Sequence, residues 1–579
     1  MALVESKPFL GNGTKTKIEP GGCCHSKHTR NCCFISCVLG SVFLLLGVVV
    51  LAAGHGLLMR LVLSTMPLKP GSERYQSWLT PPVEAHLTGY AFHVTNPDDV
   101  VMGMKPILQE VGPFVYKSVT IKDSRDNLVF NEDGETLTYK PRKFYYLDEE
   151  QSIGDPDKTF ITVPNIPLLS ALSATKNEKG FGKTIKVDLI LKEGRGTPFI
   201  NVSFSGLLWG YEDSLPCLKM TPPEHCPKPV SFNSLDEEED QEEQDDFFED
   251  EGWKRKKRSI PDLRDADFES WEKPKGGFVN CTCNWGLFRD RNVTLREPVT
   301  MHHGLSNLRM KGWVKEFNSS PVLNWWEPGS KCDEVGGQDG GTLPPGVLQD
   351  ESLDIFISLM CRRLSLNYEK DEIYPEDLVA RRYIPDENAL GSHTDTDLAR
   401  RNEDNKCYCL PGFKCLRSGV LNMAPCKRSP SMPTGAPLAL SYPHFYQADP
   451  HFLQAVEGLK PEKERHQFYL DLSPEFGFPL AIRPRFQLNL IISRDEDIPI
   501  LSKFQEELVL PFLWAQDGFD QPSDVMAKSI RKGLDIPEKY SRLIGVVLLG
   551  LGGALLLGSL IWILWNKRYN SQLETIPLK

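Results

Sequence analysis

The stretch that decides the fold is GAPLALSYPHFYQADPHFLQAVEGLKPEKERHQFYLDLSPEFGFPLAIRPRFQLNLIISRDEDIPILSKFQEELVLPFLW, which begins at Gly435 and ends at Trp514. It is dense in strand-forming residues, and its clearest strand starts at Arg485. There the apolar residues occupy every second position and so share one face: Phe486, Leu488, Leu490 and Ile492. This pattern predicts a β-strand with one face in a core.

Two long apolar runs lie on either side of this stretch and set the class of the protein. No charged residue occurs from Asn31 to Met59 or from Leu543 to Asn566. As a helix, the apolar core from Phe34 to Leu58 rises roughly 37 Å, against about 30 Å for the hydrocarbon layer of a bilayer. A cleavable signal peptide is the alternative for the first run, but its apolar core is too long and a polar tail precedes it. We therefore expect an integral membrane protein that crosses the bilayer twice.

The two runs divide the chain into five parts. We expect a cytoplasmic tail at 1–33, a transmembrane helix at 34–58, an ectodomain at 59–542, a second transmembrane helix at 543–565 and a cytoplasmic tail at 566–579. Lysine and arginine outnumber acidic residues in the first tail, which favours its cytoplasmic location, and two crossings return the second tail to the same side. The ectodomain is then extracellular or lumenal.

Glycosylation sequons support this topology. Four of them lie between the two runs and predict N-glycosylation at Asn201, Asn280, Asn292 and Asn318. Asn12, in the N-terminal tail, also stands in a sequon and is expected to stay unmodified.

The 15 cysteines divide along the same line, since ten lie between the runs and five lie at or in the first one. Disulfides are the expected use in the oxidising compartment. Beside a reducing cytosol, the candidate S-palmitoylation sites are Cys23, Cys24, Cys32 and Cys33. An unmodified, space-filling role is the alternative, and it is as strong as palmitoylation for Cys37.

An acidic insertion occupies 217–283. Twelve of the 16 residues from Asp236 to Glu251 are acidic, and five basic residues at 254–258 follow. Like charge this dense cannot bury apolar area, which predicts a solvated, disordered loop. The basic run ends in a pattern that secretory-pathway convertases require, so we expect either cleavage between Arg258 and Ser259 or a simple offset of the neighbouring anions. The flanking cysteines are expected to pair with one another: Cys217, Cys226, Cys281 and Cys283.

Small residues form a stripe on each apolar run. They are seven apart in the first, at Gly40, Gly47 and Gly54, and four apart in the second, at Gly550, Ala554 and Gly558. Such stripes let helices approach closely, within the chain or in a homo-oligomer, although glycine is common in membrane helices for other reasons. Neither run carries a charged residue in its interior, which weighs against an ion channel.

Patterns that would indicate catalysis or metal binding are weak. A zinc site built from Cys407, Cys409, Cys415 and Cys426 lacks the usual spacing and lies in an oxidising compartment. His302 and His303 have no acidic neighbour and are expected at the surface. His444, in an apolar turn, is expected to be a hydrogen-bonded structural group. We therefore predict no catalytic residue, metal or cofactor.

The main enzyme alternative is a two-span ectonucleotidase. Such an enzyme needs a phosphate-binding glycine-rich turn between a strand and a helix. The segment Asp339–Thr342 is the nearest approach, but no predicted strand precedes it and Pro344 and Pro345 follow where a helix would begin.

Several motifs together resemble the class B scavenger receptor family, which includes fatty-acid translocase, the lysosomal integral membrane proteins and the sensory neuron membrane proteins. The motifs are Pro443–Phe445, Glu457–Leu459, Tyr469–Asp471, Gly477–Leu480, Gly89–Asn96, Glu110–Tyr116 and Gly206–Asp213. The resemblance implies a mixed, mainly β fold, in which an antiparallel β-barrel-like ectodomain with short helices and a helical apex surrounds an apolar tunnel. Two transmembrane helices anchor it.

The resemblance also implies residue roles. It pairs Cys332 with Cys407, Cys361 with Cys426, and Cys409 with Cys415. It places apical cations that contact acidic ligands at Lys183, Lys186, Lys192 and Arg195, for which solvated surface charge is the alternative. It implies a helix at Thr184–Glu193, where the alternation of apolar residues favours a strand.

A receptor rather than an enzyme is the function that the resemblance implies. Its ligands would be fatty acids, sterols, lipoproteins or anionic phospholipids, or a protein cargo in the lysosomal branch. Nucleic acid is not an expected partner. The sequence leaves the plasma membrane and the endosome or lysosome open as locations.

Overall fold

The computed structural model describes residues 27–122, 128–213, 215, 284–292, 294–428 and 432–573, with backbone alone at the outer ends of the first and last helices. The acidic insertion and residues 1–26 of the N-terminal tail lie outside the described residues. The predictions made there stay predictions, and they concern Asn12, Cys23, Cys24, Cys217, Cys226, Arg258, Ser259, Asn280, Cys281 and Cys283.

The helices are α1 (Lys27–Leu63), α2 (Glu73–Leu79), α3 (Pro97–Val101), α4 (Ile166–Ala174), α5 (Phe181–Glu193), α6 (Phe204–Trp209), α7 (Pro450–Ala455), α8 (Lys463–His466) and α9 (Asp524–Leu573). The strands are β1 (Ala85–Val94), β2 (Leu108–Ile121), β3 (Leu128–Phe130), β4 (Thr136–Tyr139), β5 (Arg142–Leu147), β6 (Phe160–Pro164), β7 (Phe199–Ser203), β8 (Tyr211–Glu212), β9 (Asn284–Trp285), β10 (Val299–His302), β11 (Val314–Phe317), β12 (Leu353–Ile357), β13 (Arg362–Tyr374), β14 (Leu378–Pro385), β15 (Val420–Asn422), β16 (Leu438–Ser441), β17 (Tyr469–Leu472), β18 (Pro479–Arg483), β19 (Arg485–Ser493) and β20 (Glu507–Gly518).

Three antiparallel sheets make up most of the ectodomain. A seven-stranded sheet has the order β15-β16-β19-β20-β1-β2-β5, a five-stranded sheet β12-β13-β14-β17-β18, and a four-stranded sheet β11-β10-β4-β3. The predicted mixed, mainly antiparallel fold with two terminal apolar helices is confirmed. In the seven-stranded sheet β1 pairs with β20, so the first and last strands of the ectodomain are neighbours.

The strand predicted from Arg485 is β19. Phe486, Leu490 and Ile492 are buried, as the period of two predicts. The other face is not solvated, however, because Gln487 and Asn489 are fully buried. Gln487 Nε2 donates to Asn489 Oδ1 at 2.8 Å, and Asn489 Nδ2 donates to Ser441 Oγ at 3.1 Å, so these amides satisfy one another across β16 and β19. A central strand is therefore covered on both faces.

Helices α4 and α5 resolve two predictions. The short helix expected near Pro167 is α4, whose first turn is capped by Asn165 through its Oδ1 and Leu168 N. The strand that alternation favours at Thr184–Glu193 is wrong, because this segment belongs to α5. Its apolar residues Phe181, Ile185 and Leu189 recur at helical spacing and are exposed, while Val187 is buried.

Three disulfides cross-link the segment between β11 and β16. They join Cys332 to Cys407, Cys361 to Cys426 and Cys409 to Cys415, which are the pairs that the resemblance implies. The first two close loops of 75 and 65 residues. On a chain-entropy argument, each is worth about 4 kcal/mol. The cysteines considered for zinc are thus used in disulfides.

Two helices are long and apolar enough to cross a membrane, at Cys33–Leu63 and Asp524–Arg568. The second is continuous with the last helix of the ectodomain, since α9 already begins at Asp524. Helices α1 and α9 pack against each other through glycine. An added Cβ at Gly40 would lie 3.0 Å from the carbonyl oxygen of Gly552, and one at Gly47 would lie 2.9 Å from Leu549.

The glycine stripe predicted on α1 therefore faces α9, where Gly54 also meets Ser541. The stripe predicted on α9 takes no part in the contact with α1, because an added Cβ at Gly550 or Gly558 meets nothing within 4 Å, and its use in a homo-oligomer stays a prediction. The close approach uses Gly545 and Gly552 instead. Small residues permit close packing, but the face that packs is set by the partner helix.

We predict that Gly552→Leu destabilises the α1–α9 pair. A Cβ there would lie 2.7 Å from the carbonyl oxygen of Gly40 and 2.8 Å from the amide nitrogen of Leu44, so the helices must separate. The expected loss is about 1–3 kcal/mol, measured as a lower midpoint of thermal unfolding of the full chain in detergent. Gly550→Leu, on the open face of the same helix, is the matched control. An equal loss in both variants would contradict this packing.

Candidate functional site

A large cavity lies between the three main sheets. Its volume is about 580 Å³, within the range of about 300–1,000 Å³ that is usual for small-molecule sites. The pleat of β2 explains part of the lining, since Ser118, Thr120 and Lys122 follow one another at a period of two on one face. By the same alternation, Lys143 and Tyr145 of β5 line the cavity beside them.

Apolar side chains cover most of the wall. They come from all three sheets and from the segment before β17, and include Leu87, Phe317, Ile355, Phe468, Phe486 and Leu513. Two residues of the strand first identified from the sequence, Phe486 and Leu488, are among those that line the cavity. The space therefore suits a hydrophobic ligand.

One end of the cavity adjoins the two apolar helices. Met66 and Leu68, which follow α1, line it together with Val525, Met526 and Ile530 from the first turns of α9. Met66 and Ile530 also belong to a small apolar cluster with Phe476 and Leu480. Because α1 and α9 continue into the candidate spans, this is the membrane-proximal end.

Three cations of the cavity lining contact aromatic rings, and we call Arg74, Lys122 and Lys311 the cation group. The guanidinium carbon of Arg74 lies 4.8 Å from the ring centroid of Phe478, and Lys311 Nζ lies 5.6 Å from the same centroid. Lys122 Nζ donates to the carbonyl oxygen of Trp78 at 3.2 Å and lies over the Trp78 ring. Lys311 is only 1% exposed and Lys122 only 7%.

Asp339 is the carboxylate that affects the cation group most directly. The pKa of Lys311 is lowered from 10.5 to about 7, chiefly by burial and further by Arg74, while Asp339 partly opposes the shift. Burial likewise lowers the pKa of Lys122, again against Asp339. Within the described residues, however, no carboxylate lies within 4 Å of any of the three cations. Lys122 and Lys311 are thus buried and Arg74 is half-buried, and none of the three has an ion pair with a residue that the structure describes.

Asp339 accepts hydrogen bonds within its own turn, Asp339–Thr342, which was compared above with a phosphate-binding loop. Its Oδ1 accepts from the amides of Gly341 and Thr342, both at 3.0 Å, and Tyr139 Oη donates to its Oδ2 at 3.4 Å. The amides that a nucleotide phosphate would need are thus already bonded to a carboxylate of the same loop. The turn does not lead into a helix either, in the part of the chain described.

Another lysine of the cavity wall, Lys143, forms an ion pair. Lys143 Nζ lies 2.6 Å from Asp517 Oδ2, and Tyr145 Oη donates to the same oxygen at 3.3 Å. Although burial lowers the pKa of Lys143, Asp517 raises it above its ordinary value on balance. Among the described residues, the cation group has no such carboxylate partner, which distinguishes it from Lys143.

A separate buried cluster joins Glu110, His444 and His466. Glu110 accepts from His444 Nε2 at 2.5 Å, from Trp514 Nε1 at 2.9 Å and from Arg465 at 3.0 Å. Burial raises the pKa of Glu110, but the hydrogen bonds from His444 and Trp514 outweigh it and lower the pKa to about 2. The ring of His466 stacks on that of His444 at 4.3 Å. The structural role expected of His444 is confirmed.

This cluster has the residue types of a metal site, with one ligand atom of each residue within 4.8 Å of the others. Its hydrogen bonds argue against that use. Nδ1 of His444 accepts from Lys460 N and Nδ1 of His466 accepts from Glu462 N, so both rings carry their proton on Nε2. A metal ligand needs the opposite arrangement, in which the second nitrogen donates a hydrogen bond. Sequence reasoning missed the cluster because Glu110 and His444 are separated by 334 residues.

The predicted apical cations are mostly engaged with the protein. Lys183 is buried, and its Nζ lies 3.0 Å from both Asp495 and Asp497. Lys186 pairs with Glu178 at 2.8 Å, and Arg195 donates to the carbonyl oxygen of Glu212. Lys192 is exposed. Lys183 therefore differs from the expected exposed ligand contact, because two carboxylates already compensate it.

The remaining predicted sites have these locations. Asn201 and Asn318 are exposed, and Asn292 is half-buried with its Oδ1 accepting from Tyr145 N. Cys33 and Cys37 are unpaired and half-buried in α1, and the backbone of Cys32 lies in the same helix. His303 is buried, so its expected surface location is wrong: its Nδ1 accepts from Leu305 N and its ring faces Phe130.

Comparison with known proteins gives one family and several relatives. The model of the CD36 family matches residues 38–563. Lysosome membrane protein 2 of Rattus norvegicus is 28% identical over 468 residues, which cover 80% of this chain and 81% of that protein. Scavenger receptor class B member 1 of Cricetulus griseus is 27% identical over 525 residues, 91% of this chain and 88% of that protein.

We predict that Lys311→Met stabilises the chain, by about 1–4 kcal/mol, because it removes an uncompensated buried charge at nearly constant volume. Since the pKa of Lys311 is about 7 in the folded chain and near 10.5 when unfolded, the unfolded chain binds more protons between these values. Wild-type stability thus rises across this interval, and the gain from methionine shrinks. Thermal unfolding at about pH 6.5 and about pH 9.5 measures it. A loss of stability at the lower pH would show that Lys311 is compensated.

Proposed function

The chain belongs to the CD36 family, and we propose that it binds hydrophobic ligands in its ectodomain and passes them to the bilayer through the cavity. The family consists of receptors and lipid transporters rather than enzymes. The chain is therefore a class B scavenger receptor-like membrane protein with two terminal apolar helices. The ligand classes proposed are fatty acids, sterols, lipoproteins and anionic phospholipids.

The observation that carries this proposal is the apolar cavity with a membrane-proximal end between α1 and α9. A ligand of low solubility gains from such a path, since exposing it to water costs roughly 0.8 kcal/mol per methylene. An apolar wall removes this cost along the length of the cavity. The end beside the two apolar helices is where a ligand would enter or leave the bilayer.

We further propose that the ectodomain is extracellular or lumenal, with both tails in the cytoplasm. The exposure of Asn201 and Asn318 supports glycosylation there, and the three disulfides fit an oxidising compartment. One relative is named for the lysosomal membrane and another as a scavenger receptor. Both the plasma membrane and the endosome or lysosome membrane are accordingly proposed as locations.

A second candidate function is the sorting of a protein cargo. It is favoured by the exposed apolar stripe of α5, in which Phe181 is 81% exposed and Ile185 and Leu189 lie one and two helical turns further on. Exposed apolar side chains in a row are suited to a protein partner. This surface is separate from the cavity, so the two functions can be tested apart.

We predict that Ser118→Phe reduces lipid binding and transfer. Ser118 is buried on the cavity face of β2, and its hydroxyl has no hydrogen-bond partner, so the aromatic ring would occupy the cavity. Lipid retained by the purified full chain is measured by mass spectrometry, and transfer by the uptake of a fluorescent fatty acid into vesicles that contain the chain. Both should fall several-fold.

Lys117→Phe is the matched control, because it puts the same ring on the exposed face of the same strand. It should leave both measurements unchanged. If Ser118→Phe bound and transferred lipid as the wild type does while unfolding at a similar temperature, the cavity would not be the path.

For the cargo function, we predict that replacing Phe181 and Leu189 by serine increases secretion of lumenal lysosomal proteins. Cells lacking the chain are complemented with wild type or variant, and soluble lysosomal proteins in the medium are quantified by mass spectrometry. Val129→Ser, another exposed apolar residue outside α5, is the control. Equal secretion with all three chains would remove the sorting function without affecting the lipid proposal.

A further inference from the structure

We propose that the ring of Phe160 is the surface on which the first N-acetylglucosamine of a glycan on Asn201 stacks. This inference rests on the proposed extracellular or lumenal location of the ectodomain, and it gives the glycan a fixed position on the protein. The ligand is a carbohydrate that the chain itself carries. In the glycosylated protein this sugar covers a ring that the polypeptide leaves open.

The exposure of Phe160 is the first argument. Burial alternates along β6, because Ile161 and Val163 are fully buried while Phe160 is 61% exposed. A single exposed apolar side chain is ordinary on a protein surface. What distinguishes Phe160 is the residue beside it on the neighbouring strand.

The register of β6 and β7 places Phe160 beside the sequon that begins at Asn201. Phe160 lies opposite Ser203, and Thr162 lies opposite Asn201. Opposite residues of an antiparallel pair point to the same face of the sheet, and so do residues two apart on one strand. These four side chains therefore share the outer face, on which Asn201 is exposed.

The hydrogen bonds of the two strands show how closely these side chains approach. Phe204 N donates to the carbonyl oxygen of Thr159 at 2.9 Å, which makes every second pair from there a hydrogen-bonded pair. The pairs on the outer face fall between them, and in such pairs the Cα atoms are only about 4.5 Å apart. Diagonal neighbours then remain within reach of an aromatic ring. Phe160 and Asn201 are diagonal neighbours of this kind.

The chemistry of the sugar is the next argument. A glycan is joined to Asn201 through Nδ2, so its first ring starts beside Phe160. One face of this pyranose ring presents C–H groups, which carry partial positive charge, and the face of a phenyl ring carries the negative part of its quadrupole. The two faces therefore attract each other. Because the sugar is tethered to the chain, the contact is intramolecular and has a high effective concentration.

Asn318 supplies an internal reference in the same molecule. It is the second exposed sequon asparagine among the described residues. Asn318 follows β11 of the four-stranded sheet, whereas Phe160 belongs to the separate pair β6-β7. A change at Phe160 should leave a glycan on Asn318 unaffected.

The test measures how fast peptide-N-glycosidase F removes each glycan from the native full chain in detergent. The enzyme must reach the bond between Nδ2 and the first sugar, so a stacked sugar is released slowly. Release in heavy-oxygen water marks each site with a labelled aspartate, which mass spectrometry quantifies. Phe160→Ser should speed release at Asn201 by about fivefold, as expected for the loss of one aromatic contact. Release at Asn318 should stay the same.

Three further variants show whether the ring itself is responsible. Phe160→Tyr keeps the aromatic face and should keep the slow release. Phe160→Leu keeps an apolar side chain without that face and should behave as Phe160→Ser does. Val129→Ser, which replaces an exposed apolar residue of β3, is the matched control and should change neither rate.

A loosened sheet would also speed release, so the fold is checked without the glycan. In a chain that carries Asn201→Gln, Phe160→Ser should leave the midpoint of thermal unfolding unchanged. Asn201→Gln is preferred to Ser203→Ala for removing the sequon, because Ser203 Oγ accepts from Gly206 N and caps α6. A lower midpoint in this background would show that the ring serves the fold, and the inference would fall.

The other outcomes are equally distinct. Equal release at Asn201 from the wild type and from Phe160→Ser would overturn the inference, as would slow release from Phe160→Leu. A chain with a glycan on Asn318 and none on Asn201 would overturn the inference alone. A chain with a glycan on neither residue would contradict the proposed location of the ectodomain as well.

Discussion

The antiparallel pairing of β1 with β20 is the contact on which the rest of the ectodomain depends. It runs from His86 opposite Gly518 to Ala91 opposite Leu513 and joins the first strand of the ectodomain to the last. Closing so long a segment costs entropy that grows only with the logarithm of its length. The pairing brings both ends of the ectodomain to the same side, where α1 and α9 can pack. It also places Ala85 and Leu87 beside Ala515 and Asp517 on the cavity wall.

Patterns of local burial were predictable where the rule that apolar residues face inward holds. It holds for β19, where Phe486, Leu490 and Ile492 are buried. In the two apolar helices most large apolar side chains are exposed, as membrane spans require, and there length and composition gave the prediction. The rule fails at α5, because Phe181, Ile185 and Leu189 are apolar and exposed. A segment with apolar residues on two faces carries no unambiguous period, so alternation suggested a strand. The resemblance to known sequences predicted the helix α5 correctly, because a resemblance does not depend on which face of a segment is buried.

Features that need distant parts of the chain could not be predicted in this way. The Glu110–His444 contact spans 334 residues, and nothing in the sequence around either residue points to the other. Lys122 and Lys311 resemble ordinary surface lysines, which are almost never buried without a partner. The glycine face of α9 shows the same limit, since Gly550 is open while Gly552 meets α1. The glycines of α9 show that another helix can pack closely against it, but the position of α1 determines which of these glycines make the contact.

The cavity wall holds its lysines in two different ways. Asp517 shows that this wall can hold a carboxylate at 2.6 Å from a lysine, so the fold does not prevent compensation. Lys122 and Lys311 instead contact aromatic rings, and Lys122 also donates to the carbonyl oxygen of Trp78. Aromatic rings and a carbonyl oxygen compensate a buried cation only in part, and burial accordingly lowers the pKa of both lysines, whereas Asp517 keeps Lys143 charged.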